Sequence, residues 1–332
     1  MITLLSADIG GTKTIIERSQ YSEGKLRSVN KVKLNSASYS CFANMLAGFV
    51  KSDEKFDTAC FAIAGPVQHE ENVQTAKVTN LPWEMSNTHL EETFGITKVN
   101  FINDFQAMGY AIEHLSPNDL EMLQQGHSKA HGVRAVIGAG TGLGEAILVF
   151  NGDKYEVLAT EGGHQDFAPN SALEIKLYQY LHKRFEHVSF ERILSGTGLT
   201  DIFNFLIQHE ASSNQEINQK ILNSTDPAAE ISQAANSKSY IIAEQALSLF
   251  MKIYGAKAGN LALACLPTGG IYITGGIAGK NLSNLKNGEF IQSFNAKGRM
   301  QKLLEDIPVY VVKNQEAGLI GATQQALNMI SD

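Results

Sequence analysis

The sequence predicts an α/β protein with two lobes. The chain has 332 residues and a mass of 36.1 kDa, which exceeds the size at which a single hydrophobic core usually stops growing. Strand-like and helix-like segments alternate along it, as expected for strands joined by helical crossovers. One device, a strand followed by a glycine turn and a second strand, occurs twice, which suggests that the two lobes are duplicates.

Three glycine clusters mark this pattern. The first element is an apolar strand, a tight Gly-Gly turn and a second strand, in "MITLLSADIGGTKTIIERS" (1–19). The same layout recurs in "RAVIGAGTGLGEAILVF" (134–150). The third cluster, "GIYITGGIAGKNL" (270–282), begins as a strand and continues into a helix start, and a predicted helix with apolar residues at helical spacing (240–266) comes before it.

The remaining segments complete the alternation. Strand-like runs are "TACFAIAGPV" (58–67) and "KVNFINDF" (98–105), and the second leads into an amphipathic helix at 105–115. The stretch "NQEAGLIGATQQALNMI" (314–330) predicts a terminal helix with small residues along one face. The segment from about 212 to 238 is rich in Asn, Gln and Ser, and we interpret it as an exposed helical or loop excursion without assigned chemistry.

Composition and charge exclude several classes of protein. Hydrophobic residues make up 43% of the chain and charged residues 18%, as in ordinary soluble globular proteins. A net charge of −7 and the absence of a basic stripe argue against nucleic-acid binding. The start of the chain lacks the features of a signal peptide, and no apolar run is long enough to span a bilayer. We therefore expect a cytoplasmic protein without membrane contact.

The three cysteines, Cys41, Cys60 and Cys265, are far apart and odd in number. They predict buried free thiols in a reducing compartment rather than a disulfide or a metal site.

The glycine turns do not fit two common nucleotide motifs. A Walker A loop needs glycine directly before its lysine, whereas Thr12 precedes Lys13. A dinucleotide fingerprint needs glycine where Leu143 or Glu145 stands, depending on the register. The remaining functional interpretation is that backbone N–H groups of the two turns bind one polyphosphate, with Asp8 holding Mg²⁺ directly or through water. The alternative is that the glycines only close tight hairpins.

Seven motifs together carry a resemblance to a known family. "ADIGGTK", "GAGTGLG" and "TGGIAG" resemble, in order, the two phosphate motifs and the adenosine motif of the sugar kinase, actin and Hsp70 superfamily. "TNLPWEMS", "FINDFQAMGYAI", "EGGHQDFAP" and "ERILSGTGL" make the chain still more similar to the bacterial glucokinase family. The motifs span nearly the whole chain and are specific in combination.

The resemblance implies a two-lobed actin-like ATPase (ribonuclease H-like) fold with a mixed central sheet in each lobe. It places a small domain at 1–112 plus 315–332 and a large domain at 113–314. It implies ATP-dependent phosphorylation of glucose with Mg²⁺ as cofactor. The nucleotide-binding residues would be Ala7, Asp8, Ile9, Gly10, Gly11, Thr12, Gly140, Thr141, Gly142, Gly275 and Gly276.

Asp104 is the candidate general base. It follows a strand and precedes a helix, where α/β folds usually present groups that contact ligands. From the local sequence alone, Asp104 could instead cap that helix while Asn103 satisfies a turn. The resemblance implies that Asp104 accepts the proton of the 6-hydroxyl of the sugar.

The segment "EGGHQD" contributes further candidates. Glu161 and His164 are three residues apart, a spacing used by di-iron ligands on a helix, but Gly162 and Gly163 disfavour a helix there. A loop could aim both side chains at one polar ligand. By resemblance, the residues around the hexose are Asn103, Asp104, Glu161, His164 and Glu191. On local sequence, Glu191 could be a solvated helix charge and His164 an ordinary loop histidine.

Several alternatives remain at this point. The only tryptophan, Trp83, is expected to pack in a core rather than lie under a sugar face. A Cys-rich zinc loop found in a related group cannot be formed by three scattered cysteines. The other functions considered are kinase activity on fructose, mannose or an N-acetylhexosamine, a non-catalytic sugar sensor and an actin-like ATPase. Members of the family are often dimers, so a homodimer is an option.

Overall fold

The structure, a computed structural model, describes residues 1–51, 53–209 and 214–330 of the chain. The chain forms two compact units. The first comprises Met1–Ser116, Tyr155–Ala159 and Asn314–Asp332, and the second comprises Pro117–Lys154 and Thr160–Lys313.

Strands and helices alternate along the described chain, as the sequence predicts. The strands are β1 (Ile2–Ile9), β2 (Lys13–Ser22), β3 (Lys25–Asn35), β4 (Phe56–Ile63), β5 (Val67–Glu70), β6 (Val73–Lys77), β7 (Glu84–Ser86), β8 (Ile96–Asn103), β9 (Leu120–Gln124), β10 (Arg134–Ala139), β11 (Leu143–Phe150), β12 (Tyr155–Thr160), β13 (Gly270–Thr274) and β14 (Val309–Val312).

The α-helices are mostly short, apart from one of 25 residues. They are α1 (Phe42–Ala47), α2 (Asn87–Phe94), α3 (Asp104–Ala111), α4 (Ala172–His182), α5 (Gly196–His209), α6 (Gln215–Leu222), α7 (Pro227–Asn236), α8 (Ile241–Cys265), α9 (Gly276–Lys280), α10 (Leu282–Lys286), α11 (Glu289–Asn295), α12 (Gln301–Glu305) and α13 (Ala317–Asn328). None of the described helices has the length and apolar character needed to span a bilayer.

The first unit is built on a mixed five-stranded sheet. Its strand order is β3-β2-β1-β4-β8. β1 and β2 form the predicted antiparallel hairpin, whereas β1, β4 and β8 run parallel to one another. Parallel neighbours present their carboxyl ends at one edge of a sheet, and that edge carries the predicted catalytic residues of this unit.

The second unit repeats this arrangement. β10 and β11 form the second predicted hairpin, and β10, β13 and β14 run parallel. β14 pairs antiparallel with β9, so the strands of this unit follow the order β11-β10-β13-β14-β9. The expectation of a repeated hairpin device is therefore confirmed at the level of strand pairing.

Apolar packing covers the sheet of the first unit from two sides. One cluster joins the sheet to α1 and α2 and contains Phe42, Phe61 and Trp83. Trp83 is 1% exposed and donates its indole N–H to the carbonyl oxygen of Tyr39, so the expectation that it packs in a core is confirmed. A smaller cluster joins the other face to α3 and α13.

The terminal helix α13 uses its small residues for close packing. A Cβ at Gly321 would collide with the carbonyl oxygen of Ala107 in α3, so these two helices approach at the distance of their backbones. The predicted stripe of small residues therefore has a structural use.

The core of the second unit forms around α8. This helix is the one predicted at 240–266, and its side chains are buried on nearly all sides, among them Phe250, Tyr254 and Lys257. A helix that is apolar all round belongs in a protein interior. Lys257 carries a charge, although it is only 1% exposed.

One sequence expectation, on the cysteines, needs correction, and the helical alternative for the segment from about 212 to 238 is confirmed for the described residues. All three cysteines are free, but only Cys60 is buried, because Cys41 stands at the start of α1 and Cys265 is the last residue of α8. The excursion from about 212 to 238 forms α6 and α7 where it is described, while Ser212 and Ser213 lie outside the described residues.

Candidate active site

The parallel strands of the first unit end at the same level. Ile9 of β1, Ile63 of β4 and Asn103 of β8 form one row of register partners. Asp8 precedes Ile9 in β1, and Asp104 directly follows Asn103, the last residue of β8; β4 lies between these two strands. Because neighbouring strands are about 4.8 Å apart, this register brings the two carboxylates to one edge of the sheet.

The helix that follows β8 is capped by Asn103. Its side-chain oxygen accepts the N–H of Phe105 at 2.8 Å, and its own N–H donates to the side chain of Gln106 at 3.1 Å, which completes a capping box. The alternative that Asp104 is the cap is therefore wrong. Asp104 is the first helical residue, and one of its oxygens accepts the Phe105 N–H at 3.0 Å.

Capping also limits what Asn103 can offer a ligand. Its oxygen is engaged, and its amide nitrogen lies 3.4 Å from the carbonyl oxygen of Gly65. One N–H of the amide group is therefore left as a donor toward a ligand.

Both carboxyl groups have unusually high pKa values. Burial and, to a smaller extent, the negative charge of Asp8 together raise the pKa of Asp104 to about 7. Burial also raises the pKa of Asp8 to about 6, against the lowering effect of the Lys13 ammonium. Carboxyl groups with raised pKa values at the carboxyl ends of strands are typical of functional sites.

The first glycine turn is held by hydrogen bonds within the hairpin and from Ser36. The N–H of Gly10 donates to the carbonyl oxygen of Lys13 at 3.0 Å and closes the hairpin. Ser36 donates its hydroxyl to the carbonyl oxygen of Gly10 at 2.7 Å. The hydroxyl oxygens of Ser36 and Thr14 lie 3.0 Å apart. Ser36 and Thr14 are fully buried.

These hydrogen bonds reduce the number of backbone N–H groups in the turn that could bind phosphate. Of the backbone N–H groups in the described turn, those of Gly11 and Thr12 are not used within the protein. Ala7 and Ile9 are fully buried, so only their backbone atoms could meet a nucleotide.

The second glycine turn is closed in the same way. The N–H of Gly140 donates to the carbonyl oxygen of Gly142 at 2.8 Å. The carboxylate of Glu191 accepts the N–H of Leu143 at 2.9 Å. In this part of the described chain, the N–H groups of Thr141 and Gly142 are left for a ligand.

The predicted adenosine motif lies beside this turn. Gly138 of β10 and Thr274 of β13 are register partners, so the second turn and the Gly275–Gly276 pair follow neighbouring strand ends. The hydroxyl of Tyr254 joins the two strands, because it accepts the N–H of Ala139 at 3.2 Å and lies 3.4 Å from the carbonyl oxygen of Thr274.

Three predicted sugar ligands come together in the second unit. Nε2 of His164 lies 3.9 Å from a carboxylate oxygen of Glu161 and 4.0 Å from one of Glu191. These distances are too long for hydrogen bonds, so His164 lies near both carboxylates without bonding either. Donors and acceptors at such spacing suit a bridging hydroxyl.

The loop that carries Glu161 and His164 differs slightly from the expectation. Gly162–His164 forms a single turn of 3₁₀ helix, so the absence of an α-helix is confirmed while the segment is not fully irregular. Glu191 lies in a turn and not on a helix, which removes the interpretation of a solvated helix charge. Its backbone N–H donates to the carbonyl oxygen of Gly163 at 2.9 Å, which joins the two loops.

Comparison with known proteins gives one consistent result. A family model described as Glucokinase matches residues 5–329. A glucokinase of Nostoc punctiforme is 41% identical over 97% of this chain and 98% of its own length. The chain belongs to the glucokinase family. It is therefore a kinase that phosphorylates glucose with ATP.

Solved structures agree with this assignment. A glucokinase from an Antarctic psychrotroph is 30% identical, with a TM-score of 0.85 over 99% of both chains. A ROK-family glucokinase from Streptomyces griseus, solved with glucose and AMPPNP, is 22% identical with a TM-score of 0.64 over 98% of this chain and 99% of its own, which shows a shared fold. The fold of this glucokinase-family chain is the actin-like ATPase fold implied by its motifs.

A divalent cation fits the donors that the glucokinase-family chain offers. Within the described residues, no group of three or more His, Cys, Asp or Glu side chains could hold a metal ion by itself. Mg²⁺, however, is usually bound by one or two carboxylates together with substrate phosphates and water. The half-buried carboxylate of Asp8, beside a turn with available N–H groups, meets that requirement.

Sequence reasoning missed the residues that support the site. Ser36 braces the first turn, Tyr254 joins the second turn to β13, and Lys257 forms a buried ion pair with Glu145. The sequence offers a signal for Lys257, which is a lysine among apolar residues on the predicted helix at 240–266. Ser36 has no local signal, because its partners lie 22 and 26 positions away.

Proposed function

We propose that Asp104 is the general base of this kinase and that its substrate hydroxyl is O6 of D-glucose. The observation that carries the proposal is the position and the raised pKa of the Asp104 carboxyl group. Asp104 stands at the carboxyl end of β8, is not used as the helix cap, and has a pKa raised to about 7 by burial and by Asp8. A general base works best when its pKa is near the working pH.

The reaction transfers the γ-phosphoryl group of ATP to O6 of glucose. The Asp104 carboxylate accepts the proton of O6–H while O6 forms a bond to the γ-phosphorus of ATP. The bond between that phosphorus and the oxygen bridging to the β-phosphate breaks, and ADP leaves. Charge develops on the equatorial oxygens of the transferred group, where backbone N–H donors are most effective.

We assign the remaining residues by the groups they offer. In the first unit, the Asn103 amide donates to the hexose. In the second unit, Glu161 and Glu191 accept hydrogen bonds from hydroxyls, and His164 can donate or accept. The distances of 3.9 and 4.0 Å from His164 to Glu161 and to Glu191 support this assignment.

The nucleotide assignment rests on the two turns. Gly11 and Thr12 in the first unit, and Thr141 and Gly142 in the second, supply N–H groups suited to phosphate oxygens. The Gly275–Gly276 pair would contact the adenosine. Asp8 would hold Mg²⁺, directly or through water, and the bound ion would neutralise charge on the phosphates.

Positioning should contribute more than proton transfer. General-base catalysis typically gives about 10²–10⁴-fold, whereas holding two reactants in line can lower the barrier by roughly 7–11 kcal/mol. Removal of Asp104 should therefore reduce turnover strongly while leaving most of the binding energy for glucose in place.

The first experiment is a coupled assay of ADP formation with glucose, fructose, mannose and N-acetylglucosamine. Glucose-dependent ADP formation is expected, with lower kcat/KM for the other sugars. ADP formation that does not depend on sugar would favour an ATPase. Glucose binding without turnover would favour a sensor.

The second experiment tests the base itself. Asp104→Ala should bind glucose within about tenfold of the parent affinity and lose about 10²–10⁴-fold in kcat. Asp57→Ala is the matched control, because Asp57 is an exposed carboxylate at the amino end of β4, opposite the edge that carries Asp104. Unchanged turnover in Asp104→Ala would refute the assignment.

Three further properties belong to the proposal. The domains are 1–112 plus 315–332 and 113–314, of which residues 52, 210–213 and 331–332 lie outside the described residues. The compartment is the cytoplasm. A homodimer is the expected assembly, and sedimentation at several protein concentrations would test it.

A further inference from the structure

A lysine and a glutamate form an ion pair in the interior of the second unit. Nζ of Lys257 lies 2.7 Å from Oε1 of Glu145, and the two side chains are only 1% and 2% exposed. Taking two charges out of water costs so much that a buried pair adds little net stability. The burial of this ion pair should therefore serve a role other than stabilising the fold.

The ammonium group of Lys257 contacts both loops that carry the proposed sugar ligands. It donates to the side-chain oxygen of Gln165 at 2.7 Å, and Gln165 directly follows His164. It also lies 5.2 Å from the centroid of the Phe190 ring, within cation–π range, and Phe190 directly precedes Glu191.

The carboxylate of Glu145 packs against the first of these loops. A Cβ at Gly162 would collide with Oε2 of Glu145, so this position accepts only glycine while the carboxylate keeps its place. The hydroxyl of Thr160 donates to the carbonyl oxygen of Glu145 at 3.3 Å. The Thr160 bond involves the main chain of Glu145, whereas the ion pair itself supports the Glu161–His164 turn at Gly162, through the carboxylate, and at Gln165, through the ammonium group.

The two loops are also bonded to each other. The N–H of Phe190 donates to the carbonyl oxygen of Gln165 at 3.0 Å, and the N–H of Glu191 donates to that of Gly163 at 2.9 Å. A shift of one loop must move the other. The ion pair lies beneath this joined structure and fixes it to α8 and β11.

We propose that Lys257 and Glu145 are positioning residues for the hexose, acting through Gln165, Gly162 and Phe190. The inference rests on the proposed function, in which Glu161, His164 and Glu191 bind the sugar. Both charged groups are buried, so the proposed role is to position other residues and not to bind the sugar. Loss of the ammonium group should displace the ligands and weaken glucose binding, while ATP binding changes little.

The test compares Lys257→Met with Lys297→Met. Lys297 is the matched control, because its ammonium also packs on α8, at the carbonyl oxygen of Ala256 and the side chain of Asn260, without contacting either loop. Lys257→Met should raise the KM and Kd for glucose by about 10- to 100-fold, the effect expected when ligands are misplaced. The KM for ATP should stay within about twofold, and Lys297→Met should leave both values unchanged.

A structural role alone predicts a different pattern. If Lys257→Met lowers Tm but leaves the KM for glucose at the parent value, the inference is overturned. Should Lys257→Met fail to fold, the double variant Glu145→Gln/Lys257→Met keeps the question open to experiment, because it leaves no unpaired buried charge. Weak glucose binding by the folded double variant supports the inference, and parent-like binding overturns it.

Glu161→Ala separates this inference from the proposed function. If Glu161→Ala leaves glucose affinity unchanged, the sugar site itself is misassigned. If Glu161→Ala weakens glucose binding and Lys257→Met does not, only the positioning role is wrong.

Discussion

Asp8 and Asp104 are close enough that the negative charge of Asp8 raises the pKa of Asp104. Burial is the larger cause for Asp104 and the main cause for Asp8, and the two pKa values are about 7 and about 6. The carboxyl ends of β1 and β8 thus hold two acids that both titrate near neutral pH. Such a pair suits a site where one group takes up a proton and the other meets a cation.

The first prediction concerns the pKa of Asp104 in the ligand-free protein. Asp8→Asn removes the nearby negative charge, so the pKa of Asp104 should fall below about 7, yet stay above its ordinary value of 3.8 because burial remains. Carboxyl carbon chemical shifts followed against pH would measure it. Asp57→Asn is the control and should not move the titration. An Asp104 pKa that is the same in Asp8→Asn and in the parent would contradict the coupling.

The second prediction follows from linkage between protonation and stability. The folded pKa of Asp104, about 7, is above its unfolded value of 3.8, so the folded state holds more protons between these two pH values. The contribution of this group to stability is therefore greatest below pH 3.8 and decreases as pH rises to about 7. Asp104→Asn cannot ionise and should escape this loss.

Urea denaturation at pH 5 and pH 8 would measure the effect. At pH 8, Asp104→Asn should be more stable than the parent by about 1–3 kcal/mol, and the gain should be smaller at pH 5. A gain of equal size at both pH values would point to a cause other than ionisation. Loss of stability at pH 8 would mean that the carboxylate is better satisfied than its burial indicates.

The third prediction distinguishes the two glutamates of the sugar cluster. The side chain of Glu161 is 88% exposed and that of Glu191 33%, and Glu191 also accepts the N–H of Leu143. Glu161→Ala should weaken glucose binding by about 1.5–3 kcal/mol, the worth of a hydrogen bond to a charged group, without changing Tm. Glu191→Ala should weaken glucose binding, raise the KM for ATP and lower Tm, because it leaves the second turn without its acceptor.

Calorimetric titration with glucose and kinetic assays with varied ATP would separate these effects. Glu92→Ala, which removes an exposed glutamate from α2, is the control. Identical behaviour of Glu161→Ala and Glu191→Ala would show that the Leu143 contact has no functional consequence.

The sequence predicts those parts of the fold that depend on local pattern. The hairpins at Gly10 and Gly140 combine apolar strands with glycine turns, and α8 carries apolar residues at helical spacing, so each was identified from neighbours in the chain. The register that brings Asp8 and Asp104 to one sheet edge is different, because it depends on β4 lying between β1 and β8. A single sequence does not contain that information in any local segment.

The candidate site shows the same limit more clearly. Asn103 and Asp104 stand side by side where the sequence predicts a helix to begin, and composition alone does not decide which one caps it, because either side chain can accept the backbone N–H. The contact between Lys257 and Gln165 spans 92 positions. Such pairs become visible only when the packing of distant elements is known, whereas the ligands themselves were suggested by motifs.

The fourth prediction concerns the brace of the first phosphate turn. Ser36 is fully buried and donates its hydroxyl to the carbonyl oxygen of Gly10 at 2.7 Å. Ser36→Ala removes this donor and leaves the partly buried carbonyl oxygen of Gly10 without it, which should cost about 1–3 kcal/mol of stability. The turn that presents the N–H groups of Gly11 and Thr12 would then be less well fixed. We expect the KM for ATP to rise several-fold while the Kd for glucose stays at the parent value.

Ser19→Ala provides the matched control for Ser36→Ala. Ser19 is also fully buried, and it donates at 2.7 Å to the side chain of Glu17, in the β2 strand beyond the turn. Both variants should lose stability, as measured by urea denaturation, because each loses a buried hydroxyl. Only Ser36→Ala should raise the KM for ATP. Equal changes in that KM would mean that general loosening of the first sheet, rather than the geometry of the glycine turn, controls nucleotide affinity.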